Sequence, residues 1–470
     1  MENKVLLINP SMFEIYKDTN LKNSVPHYPP TNLLTVAGAL KQHNIPVELI
    51  DLDLVDKDKI YDAVKQKLTE TNPTCVGVTF ASALYSQCQR IAKLVKDYNE
   101  EILLVTGGAH ASAKPAELVK ESLYDVAIFG EGEFALAELL TTPKKRWDEI
   151  KGIAFSKENG EVVKTEKRPW IMNLDEIPIP MYELINIHDY KMPKSFCRKQ
   201  PVMSIETSRG CAWGCTYCTK AVFGRNFRCK SVDRTVQEIK MLVDMGVKEI
   251  HINDDMFTTN QIRVKQICKK LIDQKIKIIW ACPNGIRADR VDKELLTLMK
   301  KAGCYRVSFG AESGNQEVLD RIHKEQTPKQ VIAAFKLCKE VGLAAYGFFM
   351  FGLPNDTEKT MQETIDFAKT CDPDIAKFGI MIPLPSTPIY DEWKGKYITS
   401  EKWDDYNFHS GKQVYNHPTL SHEIINKYYK KAYKEFYLRP SYIVRRGFRS
   451  LFNGQIIDDL RLFFSTNWFG

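Results

Sequence analysis

Several features that would assign this chain at a glance are missing. The start, MENKVLLINP, has no basic stretch followed by an apolar core and a small-residue cleavage site, so no secretory leader is expected. No run of about 18 apolar residues occurs, so no membrane-spanning helix is expected. A cytoplasmic setting would leave all 12 cysteines reduced. Net charge is also small, although charged residues make up an ordinary 27%. The net +7 equals the surplus of the segment from Lys427 to Arg449 alone, which holds eight basic residues and one acid, Glu435. The remainder is near neutral, which argues against a nucleic-acid-binding body. The dinucleotide fingerprint G-x-G-x-x-G after the first strand is absent too.

What is present is two successive series of strand and helix patterns. In the first 140 residues, apolar runs stand at 4–9, 47–53, 75–80, 102–108 and 125–132, separated by helical stretches such as 32–43 and 86–98. Short continuous apolar strands alternating with helices predict a doubly wound, Rossmann-like α/β domain over 1–144. Ligands of such sheets sit beyond the strands' carboxyl ends. Those ends carry Asn9, Asp51, Ser82, Gly107, Gly108, His110, Gly130, Glu131 and Glu133. Residues 145–200 are rich in Pro and charge and read as a linker. From Pro201, strands at 203–208, 249–255, 278–285, 306–313, 345–352 and 376–383 alternate with helices. Six βα units are too few for a closed eight-fold barrel, so 201–395 predicts a partial (βα)6 barrel of TIM type. A helical extension covers 396–470.

Cys211, Cys215 and Cys218 stand at C-x3-C-x2-C spacing in a loop directly after the first barrel strand, where βα barrels place their active-site loops. Three soft thiolates suit an iron–sulfur cluster with one iron left open, or a closed zinc site completed by Cys197 or Cys229.

This spacing, with the aromatic Tyr217 before the last cysteine, resembles the signature of radical S-adenosylmethionine (SAM) enzymes. The resemblance spans about 200–390. It implies a [4Fe-4S] cluster whose open iron chelates SAM, and a 5′-deoxyadenosyl radical that removes a substrate hydrogen. HINDDMFT (251–258) resembles a DDxFT strand end, placing Asp254 and Asp255 near the SAM ammonium; helix capping is the competing reading. SFGAESG (308–314) resembles the family's GxESG segment and implies that Ser308 and Glu312 face SAM. Arg287 resembles the family's carboxylate-binding arginine. PLPST (383–387) departs from the family's P-x-P-G-T, with Ser386 in place of Gly.

A five-stranded domain bearing INP, PP-x-x-L, GG-x-H and GEGE ahead of such a barrel resembles the class B, cobalamin-binding radical-SAM proteins. Cobalamin contacts are then implied at Asn9, Ser82, Gly107, Gly108, His110, Gly130, Glu131 and Glu133. The D-x-H-x-x-G motif whose His ligates cobalt is absent, so His110 is not assigned that role. The resemblance implies methyl transfer to an unactivated carbon of a small-molecule or lipid-like substrate, with no side-chain nucleophile. The same build could instead cyclise, oxidise or rearrange its substrate. A reducing partner such as flavodoxin or ferredoxin is implied. A non-catalytic zinc or cobalamin module is the alternative from another class. The basic–aromatic segment 427–452 reads as a helix packed on the barrel, a membrane-surface helix at the periphery, or a nucleic-acid patch, in that order.

Overall fold

The computed structural model describes residues 3–16, 26–194, 196–408 and 411–452, with side chains to 447. The last stretch of the expected extension, 453–470, lies outside the described residues.

The first five apolar runs form a parallel sheet: β1 (Val5–Asn9), β2 (Val47–Asp51), β3 (Cys75–Thr79), β4 (Leu103–Gly107) and β5 (Val126–Ile128), in the order β2-β1-β3-β4-β5. Both faces are covered. Leu6, Ile8, Val76 and Val78 pack under one helical layer, while Val5, Leu7 and Val105 pack under the other. Such strands must be apolar throughout, which is why they read as continuous runs.

The boundary at 144 needs correction. β6 (Ile153–Ser156) and β7 (Val162–Lys164) form a hairpin that extends this sheet antiparallel from β5 to seven strands. Its turn contains Asn159-Gly160, with Gly160 at φ +81, a strong hairpin signal inside the supposed linker. The true connecting segment therefore begins after Lys164.

The second sheet contains β8 (Val202–Ile205), β11 (Glu249–Ile252), β12 (Ile279–Ile286), β13 (Cys304–Glu312), β14 (Ala344–Phe351) and β15 (Ile375–Ile380). All pair in parallel and in chain order, the six-strand partial barrel expected. Between β8 and β11 lies a short antiparallel pair, β9 (Ser208–Arg209) with β10 (Arg228–Cys229). It closes the cysteine loop into a hairpin.

The basic segment divides in two. Helix His422–Tyr437 buries Ile425, Tyr428, Ala432 and Phe436 against the barrel. Its hydroxyls seal the edge of β15. Tyr437 Oη donates to Ala376 O at 2.7 Å and accepts from Ala376 N at 3.2 Å. Tyr433 Oη does the same for Phe378, at 3.2 and 3.3 Å. An open barrel leaves an edge of unpaired N–H and C=O groups, and this helix covers it. The aromatics of 427–437 are thus turned inward, which corrects the membrane-surface reading for that stretch. Among the described residues, no helix is long and apolar enough to cross a membrane. The extension is not purely helical: Trp403 and Asp404 reach back to the first domain, where Asp404 accepts from Ser86 N at 3.0 Å and Ser86 Oγ at 2.6 Å.

Candidate active site between the two sheets

The cysteine loop leaves β9 through Gly210, at φ +79. A side chain there would strike Asn226 O at 2.3 Å, so only glycine makes this turn. The loop is then pinned from several sides. Thr216 N donates to Ile322 O at 3.0 Å, and Ile389 N donates to Thr216 O at 3.1 Å. The guanidinium of Arg287 lies over the Trp213 ring at 4.3 Å. Cys211 is buried, Cys215 and Cys218 are half-buried, and all three thiols are free.

Two cations accompany the thiols. Lys220 Nζ donates to Cys218 Sγ at 3.3 Å. Lys324 lies close enough to Cys215 to favour its thiolate; burial dominates and pushes that thiol up, with Glu312, Cys218 and Cys211 acting in the same direction. The three sulfurs therefore feel one another's charge. Yet among the described residues no three His, Cys, Asp or Glu side chains converge as ligands of one metal ion. A four-iron cluster takes each thiolate at a separate corner, and three free thiols with nearby lysines suit it. The fourth ligands proposed for zinc lie apart. Cys197 packs with Met192 and Val202, and Cys229 sits on β10 near Arg263 and Asp254.

Tyr217 and Glu312 come together beside the triad. Glu312 pairs with Lys324 at 2.7 Å, and Lys324 Nζ stands 3.5 Å from Tyr217 Oη. Burial disfavours charge on Lys324, but Glu312 and Cys215 hold its ammonium above the usual range. Glu312 adopts φ +58 at a register shift in β13. The pair crosses directly over Gly310, where a Cβ would stand 2.5 Å from Glu312 Oε1 and 2.9 Å from Lys324 Nζ. A strained acid held over a glycine is the kind of outlier found at functional sites. Ser308 is buried with no partner for its Oγ, as expected of a group awaiting a ligand.

The other expected SAM residues divide. Asp255 is exposed and accepts from Gly210 N at 3.1 Å, next to the cysteine loop. Asp254 is fully buried and accepts from Thr207 N, Thr207 Oγ1 and Ser208 Oγ at 2.5–2.6 Å. Its carboxylate braces the backbone entering β9 rather than facing the site. Arg287 is likewise buried: it donates to Asp289 Oδ1 at 2.7 Å and to the carbonyls of Lys324 and Glu325 at 2.9 and 2.6 Å. It holds the Lys324 turn and Trp213 together.

A cavity of about 470 Å³ opens beyond the carboxyl ends of β1, β3, β4 and β5 and is roofed by the barrel. Asn9, Gly107, Gly108, Gly130, Glu131 and Glu133 line it, with Arg209, Phe223 and Lys230 from the other domain. A Cβ on Gly108, at φ +96, would meet Thr79 Oγ1 at 3.0 Å and Phe80 N at 3.1 Å. More of the exposed wall is apolar than polar, as in ligand cavities generally.

Three of the expected cobalamin contacts are engaged by protein groups. Ser82 and His110 are not among the lining residues. They bond each other at 2.8 Å, and the imidazole is enclosed by Phe80, Tyr85 and Trp403. Burial, reinforced by Lys114, pushes that imidazole down to about 4. Glu131 reaches the cavity wall, but its carboxylate is held by Arg209 at 2.9 Å and Arg228 at 2.7 Å, both from the barrel. Arg209 also binds Glu133 at 2.5 Å and Glu206 at 2.6 Å. These acids clamp the two domains. Glu133 keeps one oxygen, Oε2, buried and unpartnered.

Sequence reasoning missed Lys220, Lys324, Arg209 and Arg228. Arg209 carried one signal, its place directly before Gly210 and Cys211. Lys220 carried a similar one, two residues after Cys218; Lys324 and Arg228 are brought in only by the fold.

Two family models match: the Radical SAM superfamily over residues 205–368 and the B12 binding domain over 19–140. The chain is 32% identical over 424 residues to an uncharacterized methyltransferase, PH0819, from Pyrococcus horikoshii, covering 89% of each chain. It is 29% identical to an anaerobic magnesium-protoporphyrin IX monomethyl ester cyclase from Rubrivivax gelatinosus, covering 81% of this chain and 69% of that protein. Among solved structures, the radical SAM methyltransferase TsrM from Kitasatospora setae, with cobalamin and a [4Fe-4S] cluster bound, superposes with a TM-score of 0.68 at 20% identity, covering 83% of this chain and 78% of that one. At that identity the likeness speaks for the fold. With a B12 binding domain ahead of a cysteine-bearing partial barrel, this chain belongs to the radical SAM superfamily, in the form that carries a cobalamin-type domain.

Proposed function

We propose that this protein is a cobalamin-dependent radical SAM methyltransferase acting on a carbon centre of a small molecule. The observation that carries the reading is the joining of the two sites. Arg209, two residues before Cys211, is bonded to Glu131 and Glu133 in the wall of the interdomain cavity. In this reading Cys211, Cys215 and Cys218 hold the cluster. Asp255, Ser308 and Glu312 contact SAM with Tyr217 beside them, and the cavity over Gly107, Gly108 and Gly130 takes the corrin. When bound, these groups supply a 5′-deoxyadenosyl radical on one side and a transferable methyl group on the other.

The chain's own residues then bind, orient and exclude water. Lys220 and Lys324 offset the charge of the thiolates. Gly210 and the Arg287–Trp213 contact fix the loop. The Glu131–Arg209–Arg228 clamp keeps the two sites in one orientation, which radical chemistry needs to avoid side reactions. No side chain is required as nucleophile or general base. Electrons come from an external one-electron donor of the flavodoxin or ferredoxin type.

The cyclase relative favours a second reading, in which the same build makes a bond without methyl transfer. Product analysis separates the two. Reconstituted protein is given SAM, cobalamin, a reductant and a metabolite extract. Methyl transfer produces S-adenosylhomocysteine and 5′-deoxyadenosine together, whereas the second reading produces 5′-deoxyadenosine alone.

A further inference from the structure

Alternate residues of the barrel strands face the helices, as Val307, Phe309, Ala345, Phe349, Ala376 and Phe378 do. The residues between them face the concave side, and this side is unexpectedly cationic. Arg306 on β13 is buried, and its Nε has no partner. Its guanidinium lies over the rings of Tyr346 at 4.9 Å and Tyr305 at 5.5 Å. Lys377 on β15 stands opposite Phe348 in the register. Its ammonium lies 5.0 Å from the Phe196 ring centre and 5.7 Å from that of Phe348. Lys377 is solvent-accessible, yet so surrounded by protein that desolvation, with Arg306 adding to it, pushes its ammonium down to about 8.

Among the described residues neither cation has a carboxylate partner. The nearby acid, Glu249, is already taken by His251 at 2.8 Å, Tyr305 Oη at 2.6 Å, and the amides of Arg198 and Lys199 at 2.7 and 2.8 Å. His251 in turn bonds Tyr28, which enters from the first domain, at 2.6 Å. A buried guanidinium with a second cation near it lacks counter-charge, an arrangement that costs stability unless a ligand supplies the anion. A buried guanidinium with a free N–H is a directional donor for carboxylate or phosphate oxygens.

We infer that the concave side of the barrel binds a substrate bearing a carboxylate or phosphate, held by Arg306 and Lys377, with an apolar portion against Phe196 and Phe348. This rests on the methyltransferase reading for its meaning but not for its measurement, because binding is read on full-length protein without turnover. Three matched probes are titrated at pH 7 and followed by ligand-observed NMR: benzoate, phenyl phosphate and neutral benzyl alcohol. Either anion, or both, binds about tenfold or more tightly than benzyl alcohol. The tighter of the two identifies the group as carboxylate or phosphate. Arg306 is buried, and Arg306→Gln can fail to fold, so exposed Lys377 supplies the variant. Lys377→Met loses the preference for the anions and keeps the weak binding of benzyl alcohol. Equal binding of the alcohol and both anions, or an anion preference unchanged in Lys377→Met, overturns the inference. A protein that binds the anions but never cleaves SAM would count against the methyltransferase reading alone.

Discussion

Arg209 donates from one guanidinium nitrogen to Glu131 at 2.9 Å and from the other to Glu133 at 2.5 Å, joining the cobalamin-type domain to the strand that launches the cysteine loop. Arg228 holds the second Glu131 oxygen at 2.7 Å, and all four side chains are buried. Removing one member leaves uncompensated charge inside the protein, which costs about 3–5 kcal/mol. Glu131→Gln should therefore lower the urea midpoint sharply and increase protease cutting between residues 165 and 200. An unchanged midpoint would show that the clamp is not a stabilising contact.

Ser386 occupies a left-handed conformation, φ +66, at the position where the P-x-P-G-T pattern that this segment resembles has glycine. Its hydroxyl meets Thr219 Oγ1 at 3.0 Å, one residue after Cys218, in an exposed pair. A non-glycine residue in this region costs about 1–2 kcal/mol, more than an exposed hydrogen bond returns. Ser386→Gly is expected to raise the thermal midpoint, and Ser386→Ala is expected to lower it slightly. If both raise it equally, strain is not the cause.

Tyr433 and Tyr437 give the β15 edge its hydrogen bonds through their hydroxyls. Changing both to Phe removes no apolar area but leaves the edge groups of Ala376 and Phe378 without those partners. A loss of about 2 kcal/mol follows. Hydrogen exchange at these two amides should accelerate well beyond that of the neighbouring strand β14. Unaltered exchange would contradict the edge-sealing role.

His110 is enclosed by three aromatic rings, and its folded-state value of about 4 lies below the ordinary 6.5. The unfolded chain therefore binds this proton more readily than the folded one. The neutral imidazole's contribution is full above pH 6.5 and is lost as pH falls toward 4, by up to about 3 kcal/mol. Stability of His110→Asn, measured by urea unfolding from pH 7 to 4, should fall less steeply than that of the wild type. Parallel curves would rule out His110 as the titrating group.

Much of this architecture was legible because the physics is local. Continuous apolar runs such as CVGVTF and C-x3-C-x2-C spacing after a strand need no tertiary information. The hairpin at 153–164 was also local, in its Asn159-Gly160 turn, but the surrounding Pro and charge masked it. The directions of Asp254 and Arg287 were not legible, because a motif identifies a residue's position in the chain and not its direction. Both face inward, to Thr207 and to the Lys324 turn. The same holds for His110: a GG-x-H segment does not reveal that Trp403, almost 300 residues later, covers the imidazole. Lys324, Arg228 and Tyr28 were invisible because only long-range packing brings them to Cys215, Glu131 and His251.

Reconstituting the protein with iron and sulfide without air, then reducing it with dithionite in the presence of SAM, shows whether Cys211, Cys215 and Cys218 hold a cluster that cleaves SAM. The expected result is close to four irons and four sulfides per chain and release of 5′-deoxyadenosine, both lost in Cys215→Ala. Protein that takes up no cluster, or a cluster that leaves SAM intact under reduction, would contradict it.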